Sequence, residues 1–366
     1  MTIPEGLADR LPAVLAPPLR LDPADITIDN LRVLRLTMRR TTWAFDAVTP
    51  SYRRPLILYQ GRTGQDGSSF KLQATTQVHA AALGVPVPRF LAGNDTDDGL
   101  GFPFLINEMV KGESDYSRIV DQLDRADPQD GRARLLRQCG YALAAIHRID
   151  ASTPQEPRQH RLMGCRFRLD ALDRPGATFE WVYRWLTTHE PPPAPPVLVH
   201  GDYSMANLLV DGTDLTGVID WEWVRIGEAN EDLAWFCARP WRFGEPASLG
   251  AGGLGSIESF LHAYQEASGT TVDQVGFHWW RVMGTLIRGI TLRDQAEEWL
   301  RGVQLSREDS HATQLALTGR QVCEAEWDLL NLIEAGPLQD IEDIGEPPPQ
   351  APARRMSSGA WRDLLE

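Results

Sequence analysis

Leu198-Val199-His200-Gly201-Asp202-Tyr203-Ser204-Met205-Ala206-Asn207-Leu208-Leu209-Val210, followed by Val218-Ile219-Asp220-Trp221-Glu222, is the stretch on which the fold turns. It holds an Asp, an Asn five residues later and a second Asp thirteen beyond that, each beside an apolar, strand-like run. Phosphoryl transfer needs this set: one carboxylate to orient and deprotonate a hydroxyl, and an amide with a second carboxylate to hold Mg²⁺. Oxygen ligands suit a hard, octahedral cation that keeps some of its waters. Taken alone the pattern is ambiguous, because an Asp after His-Gly also ends strands and caps turns. The segments around it decide.

Upstream, the chain first reads as strands. Leu31, Val33, Leu34 and Leu36 precede Thr41-Thr42-Trp43-Ala44-Phe45, and Pro55-Leu56-Ile57-Leu58 follows a turn at Thr49-Pro50-Ser51. Gly61 to Ser69 is a polar, Gly-rich loop. Ala74 to Leu83 reads as a helix stopped by Gly84 and the Pro86/Pro88 pair, and Pro103-Phe104-Leu105-Ile106 as a short buried strand. Past a break at Lys111-Gly112-Glu113 the period becomes helical. Leu135, Leu136, Cys139, Leu143 and Ile146 recur three to four residues apart. Trp181 to Leu186, Phe277 to Leu300 and Gln314 to Ile333 continue the helical pattern. Pro191 to Pro196 is a stiff extended linker into the catalytic strand. The expected fold is α+β and bilobal: a small β-rich N-lobe and a larger, mainly helical C-lobe. The expected boundaries are an N-terminal extension over 1–25, an N-lobe over 26–110, a C-lobe over 111–336 and a mobile C-terminal tail over 337–366.

The bulk composition narrows the class. A net charge of −14 in 366 residues argues against partners such as nucleic acid or an anionic membrane. Cys139, Cys165, Cys237 and Cys323 are dispersed, without CxxC spacing, which suggests a reducing compartment. No apolar segment is long enough to span a bilayer, and the Pro-interrupted N-terminus has no h-region. The expected setting is cytoplasmic, as monomer or homodimer.

With these elements in order, the chain resembles the aminoglycoside phosphotransferase family, whose fold is that of protein kinases. The supporting segments are Asn30-Leu31-Arg32, Thr42 to Asp46, Gly84 to Arg89, Phe102 to Met109, His200 to Asn207, Asp220-Trp221-Glu222, Glu231 to Trp235 and Glu324 to Leu330. The branch it looks most like is associated with acyl-CoA dehydrogenases and read as hydroxyacyl-CoA kinases. The resemblance implies an enzyme, a phosphotransferase moving the γ-phosphate of ATP or GTP to a small-molecule alcohol, with Mg²⁺. By the same resemblance Asp202 would take the hydroxyl proton, and Asn207 and Asp220 would hold Mg²⁺. The backbone of Glu108, Met109 and Val110 would contact adenine. His200 and Asp232 would brace the loop, and Glu222 would meet metal or substrate.

The nucleotide half departs from the family. Arg35-Leu36-Thr37-Met38-Arg39-Arg40 has no glycine where main-chain amides must approach phosphates closely. Tyr59-Gln60 stands where relatives place a cation, and Gln73 where its Glu partner belongs. Either Arg39, Arg40, Arg54 or Arg62 supplies the charge, or the nucleotide is held mainly through metal. Otherwise the scaffold binds a ligand or runs non-kinase chemistry. On the acceptor side, Arg281 and Arg288 are seven apart on one helical face and would meet an anionic group, a CoA phosphate or a carboxylate. The alternative is a solvated or ion-paired face. Trp235, Trp241, Trp279 and Trp280 would line the core or, in one or two cases, touch ligand. A cationic drug as acceptor would need an acidic cleft, which Glu228, Glu231 and Asp232 permit.

Overall fold

A computed structural model describes residues 4–36, 40–62, 69–150, 161–301 and 311–338. Thr37 and nearly all of the expected tail lie outside the described residues. The small lobe is a five-stranded antiparallel sheet built from β1 (Thr27–Leu36), β2 (Thr41–Val48), β3 (Arg53–Gln60), β4 (Phe90–Asn94) and β5 (Phe104–Glu108), in the order β1-β2-β3-β5-β4. One side carries α2 (Phe70–Ala82), which begins four residues before the expected Ala74. Ser69 caps it by accepting the Leu72 N–H, and Asp95 accepts the Phe70 N–H, satisfying amides that a helix start leaves open.

The other side is covered by a helix that the sequence reading leaves inside the N-terminal extension. α1 (Leu7–Leu19) contains Pro12, Pro17 and Pro18, which argue against a helix when only propensity is weighed. Leu7, Leu11 and Leu15 nevertheless form one stripe, buried against Trp43, Phe45, Leu56, Leu58 and Ile106. Two of the prolines sit in the last turn, so the lost hydrogen bonds fall at the end, and packing decides.

The large lobe is helical: α3 (Tyr116–Ala126), α4 (Gly131–His147), α5 (Arg161–Ala171), α6 (Ala177–Thr188), α7 (Ala229–Phe236), α8 (Ile257–Ser268), α9 (Gln274–Leu300) and α10 (His311–Ala335). The predicted stripe on α4 is buried at all five positions. Two small antiparallel pairs interrupt the helices and position the site. β6 (Pro196–Val199) pairs with β9 (Arg225–Glu228), and β7 (Leu208–Asp211) with β8 (Asp214–Val218). The β7–β8 hairpin pairs Leu208 with Val218, so the residues flanking it, Asn207 and Ile219, meet, and the Ile219 N–H donates to the Asn207 carbonyl. A hairpin therefore closes the thirteen-residue gap between Asn207 and Asp220.

Because α1 completes the small-lobe core, Leu11→Ala is expected to cost about 2–5 kcal/mol of unfolding free energy in a denaturant titration. An unchanged midpoint would mean that α1 is a dispensable appendage.

Candidate active site

Asp202 lies at the mouth of β6, in a loop held from behind. Asp232, fully buried on α7, accepts the backbone N–H groups of His200 at 2.7 Å and Gly201 at 2.9 Å, and His147 Nε2 lies 3.2 Å away. Burial opposes the charge on Asp232, but His147 and the loop donors outweigh it and hold the carboxyl below its usual range. Both ring nitrogens of His200 are engaged by backbone groups. Its Nε2 donates to the Ile219 carbonyl at 3.1 Å, and its Nδ1 accepts the Asp202 N–H at 3.3 Å, so it ties the loop to the strand end before Asp220. Gly201 has φ of 82°, and a Cβ there would collide with the Trp223 carbonyl and the Arg225 guanidinium. Only glycine fits this turn.

The Asp202 carboxylate is fixed at both oxygens. Trp235 Nε1 donates to Oδ1 at 2.6 Å and Asn207 Nδ2 to Oδ2 at 2.8 Å. Burial, helped by Asp220, pushes this carboxyl up to about 7 against those two donors. Asn207 Nδ2 also donates to the Asp202 carbonyl, so the amide's orientation is set and its oxygen turns away. Trp235 is the contact that sequence reasoning left among the packing aromatics. Its signal was present: it follows Asp232 by three residues, so one face of α7 serves the loop twice. Trp279 and Trp280 instead donate to the Leu186 carbonyl and to Glu228.

Asp220 adopts φ of 68°, a left-handed conformation that a non-glycine residue keeps only where its surroundings impose it. Its Oδ1 receives Arg40 Nη2 at 2.5 Å, and Glu222 lies 3.5 Å from the same guanidinium. Burial would raise the Asp220 carboxyl, but Arg40 and Arg35 hold it below its usual range. Arg40 itself is buried, yet the two carboxylates keep it firmly charged. The guanidinium lies 4.7 Å over the Tyr59 ring, a cation–π seat at the position where β3 carries no cation. Register explains this: Thr41 pairs with Gln60 and Thr42 with Tyr59, so Arg40, one residue earlier, reaches across the end of β3. Gln60 is tied to Trp43 Nε1 at 2.9 Å. Of the other cations considered, Arg54 pairs with Glu108 at 2.8 Å, and Arg39 lies outside the described residues.

Arg40, Tyr59, Gln73, Gln77, Asn107, Ile219 and Asp220 line the cleft between the lobes. Gln77 accepts from Asn107 Nδ2 at 3.0 Å, a neutral bond between α2 and β5 one turn along from Gln73. At the end of β5, the Glu108 and Met109 amides donate to the Arg89 and Pro55 carbonyls, and among the described residues the Val110 amide has no backbone acceptor.

The donor set fits Mg²⁺. A carboxylate held ionised by a cation at its own oxygen and an amide oxygen turned away from its neighbour are hard ligands, few enough for a metal that keeps several waters. On the acceptor side, Arg281 and Arg288 are buried, 9 % and 4 % exposed, and form no ion pair among the described residues. They do not converge either: Arg281 has Cys237, Arg242, Asp328 and Glu258 in its field, whereas Arg288 has Asp202. The acidic residues are engaged internally. Glu231 pairs with Arg161 and Arg225, Asp232 holds the loop, and Glu228 accepts from Trp280.

The fold is that of solved antibiotic kinases. A protein described as a candidate aminoglycoside phosphotransferase from Ralstonia eutropha superposes with a TM-score of 0.60 at 18% identity, covering 87% of this chain and 97% of that one. A thermostable mutant of aminoglycoside phosphotransferase APH(4)-Ia, in ternary complex with ADP and hygromycin B, gives 0.58 at 14% identity, with 90% and 99% covered. Macrolide 2'-phosphotransferase MphH from Brachybacterium faecium gives 0.51 at 17%, with 84% and 97% covered. No curated protein matches the sequence closely enough to count as a relative. The family model for the phosphotransferase enzyme family matches residues 44–283, which takes in β2 to the middle of α9 and every catalytic-loop residue above, and the chain belongs to that family.

Proposed function

We propose that this phosphotransferase moves the γ-phosphate of ATP or GTP to the hydroxyl of a small molecule, with a hydroxyacyl thioester as one acceptor class. The observation that carries the reading is the doubly anchored Asp202 carboxylate beside Asn207 and Asp220. A base poised near neutrality takes a proton from an alcohol as the oxygen attacks, and two fixed donors aim its lone pairs without reorganisation. Asn207 and Asp220 would hold Mg²⁺, which supplies charge neutralisation on the nucleotide phosphates. The Val110 amide, with no backbone acceptor among the described residues, is the hinge donor available to adenine.

Arg40 takes the part of the missing β3 cation. It is buried in the cleft, lies over Tyr59 and is within hydrogen-bonding reach of Asp220, so a small swing of its side chain brings the guanidinium to a phosphate bound there. Arginine suits that task because its planar fork engages phosphate oxygens in pairs.

Asp202→Asn is expected to leave the melting temperature nearly unchanged and to lower kcat roughly 10²–10⁴-fold in a coupled ADP-release assay. Mg²⁺ with ATP or with GTP, at millimolar concentration, should raise the melting temperature of the wild type through linkage. No shift with either nucleotide would sink this reading in favour of a ligand-binding role. Arg40→Ala should raise KM for the nucleotide roughly 10–100-fold, the worth of a charge-assisted hydrogen bond. Adding Tyr59→Lys to that variant should recover part of the loss, and an unchanged KM in Arg40→Ala would reduce Arg40 to an interlobe tie.

A further inference from the structure

Helix α9 carries a cation for which the described residues offer no partner. Arg288 is 4 % exposed, its Nε is shut off from solvent without a hydrogen-bond acceptor, and no ion pair reaches its guanidinium among the described residues. Arg281, seven residues earlier, differs in having Asp328 and Glu258 in its field and the Phe277 ring 5.9 Å from its guanidinium carbon. Burying an unpaired guanidinium is costly, and packing of its stem does not offset the loss of water. Such a group is understandable where an anion will complete it.

The place of Arg288 says which anion. α9 passes the catalytic loop at Gly284, where a Cβ would touch the Trp235 ring at 3.4 Å, and the Trp235 N–H holds Asp202. Arg288 lies one turn beyond Gly284 on the same face, and Asp202 is the charged group in its field. An oxyanion entering beside Asp202 would be repelled unless a cation stood next to it. The nearby acids that would welcome a cationic acceptor, Glu228, Glu231 and Asp232, are all bonded within the protein.

We propose that Arg288 is the recognition site for an oxyanion of the acceptor, a carboxylate or a phosphate carried close to the hydroxyl that faces Asp202. The role of the hydroxyl rests on the phosphotransfer reading above, whereas the anion site stands without it. The acceptor class is accordingly an acidic alcohol, such as a hydroxy acid or a phosphate-bearing alcohol, rather than a polyamine sugar.

The test uses nucleotide-free protein in acetate, phosphate or chloride at matched ionic strength, with melting temperature as the readout, for wild type, Arg288→Met, Arg288→Lys and Arg40→Ala. Acetate or phosphate should stabilise the wild type relative to chloride. The shift should vanish in Arg288→Met, persist in part in Arg288→Lys and survive in Arg40→Ala, which separates it from phosphate bound at the nucleotide cleft. A shift with acetate identifies a carboxylate site, and one with phosphate alone a phosphate site. In chloride, Arg288→Met should melt about 2–4 °C higher, since a buried unpaired charge is removed. Absence of an Arg288-dependent oxyanion shift overturns the proposal, whichever way the melting temperature moves. No arm needs ATP, so that result would leave the transfer reading intact, and a silent nucleotide panel would leave the anion site intact.

Discussion

Asp232 is buried with no arginine or lysine in contact among the described residues, and its charge is carried by two backbone amides and a histidine. This arrangement fixes the first turn of the catalytic loop, because the two amides belong to His200 and Gly201. Removing the carboxylate would orphan both N–H groups in a dry interior, each at a cost of about 1–3 kcal/mol. The β6–β9 pairing, the glycine turn at 201 and the His200 bridge to Ile219 all depend on that anchor. Asp202 is therefore presented by rigid backbone, and its side chain needs only the two donors from Asn207 and Trp235 to be fully oriented.

The nucleotide side solves an electrostatic problem by a different route. Two carboxylates, Asp220 and Glu222, meet one guanidinium beside a cleft that β3 lines with the Tyr59 phenol. The cation that holds the Asp220 carboxyl below its usual range, against its burial, is Arg40, the residue just before β2, which also meets Glu222. The phenol that replaces the strand cation becomes its seat, since an aromatic face attracts a guanidinium. The Gln77–Asn107 bond in the same cleft is neutral and adds no charge to balance.

Much of this was legible in the sequence, and the limits are physical. Strand alternation and the α4 stripe report burial, so the two lobes and the order of their elements could be read directly. The spacing of Asp202, Asn207 and Asp220 also marked three residues that the fold brings into one loop region, since a tight hairpin closes the interval between the last two. Pairwise geometry was not legible. Four arginines were equivalent candidates for the missing cation until strand register put Arg40 across Tyr59. α1 was hidden because three prolines argue locally against a helix that only its leucine stripe and the sheet stabilise. Arg281 and Arg288 share a helical face, yet about 10 Å of rise separates them, and they answer to different neighbours.

Asp202 and Arg288 carry opposite charges and lie in one another's region, yet burial moves both away from ionisation, the carboxyl to about 7 and the guanidinium to about 9. A contact ion pair would do the reverse, driving the acid down and the base up. No ion pair joins the two groups among the described residues. Trp235 links the loop to α9, with its ring against Gly284 and its N–H on the Asp202 carboxylate. An alcohol bearing an oxyanion satisfies both ends at once: the hydroxyl hydrogen goes to the acid that accepts protons, and the anion to the cation that lacks a partner. A cationic acceptor would satisfy Asp202 and leave Arg288 worse off than before. The stability withheld from α9 in the free protein is thus available as binding energy, directed toward one chemical class of acceptor.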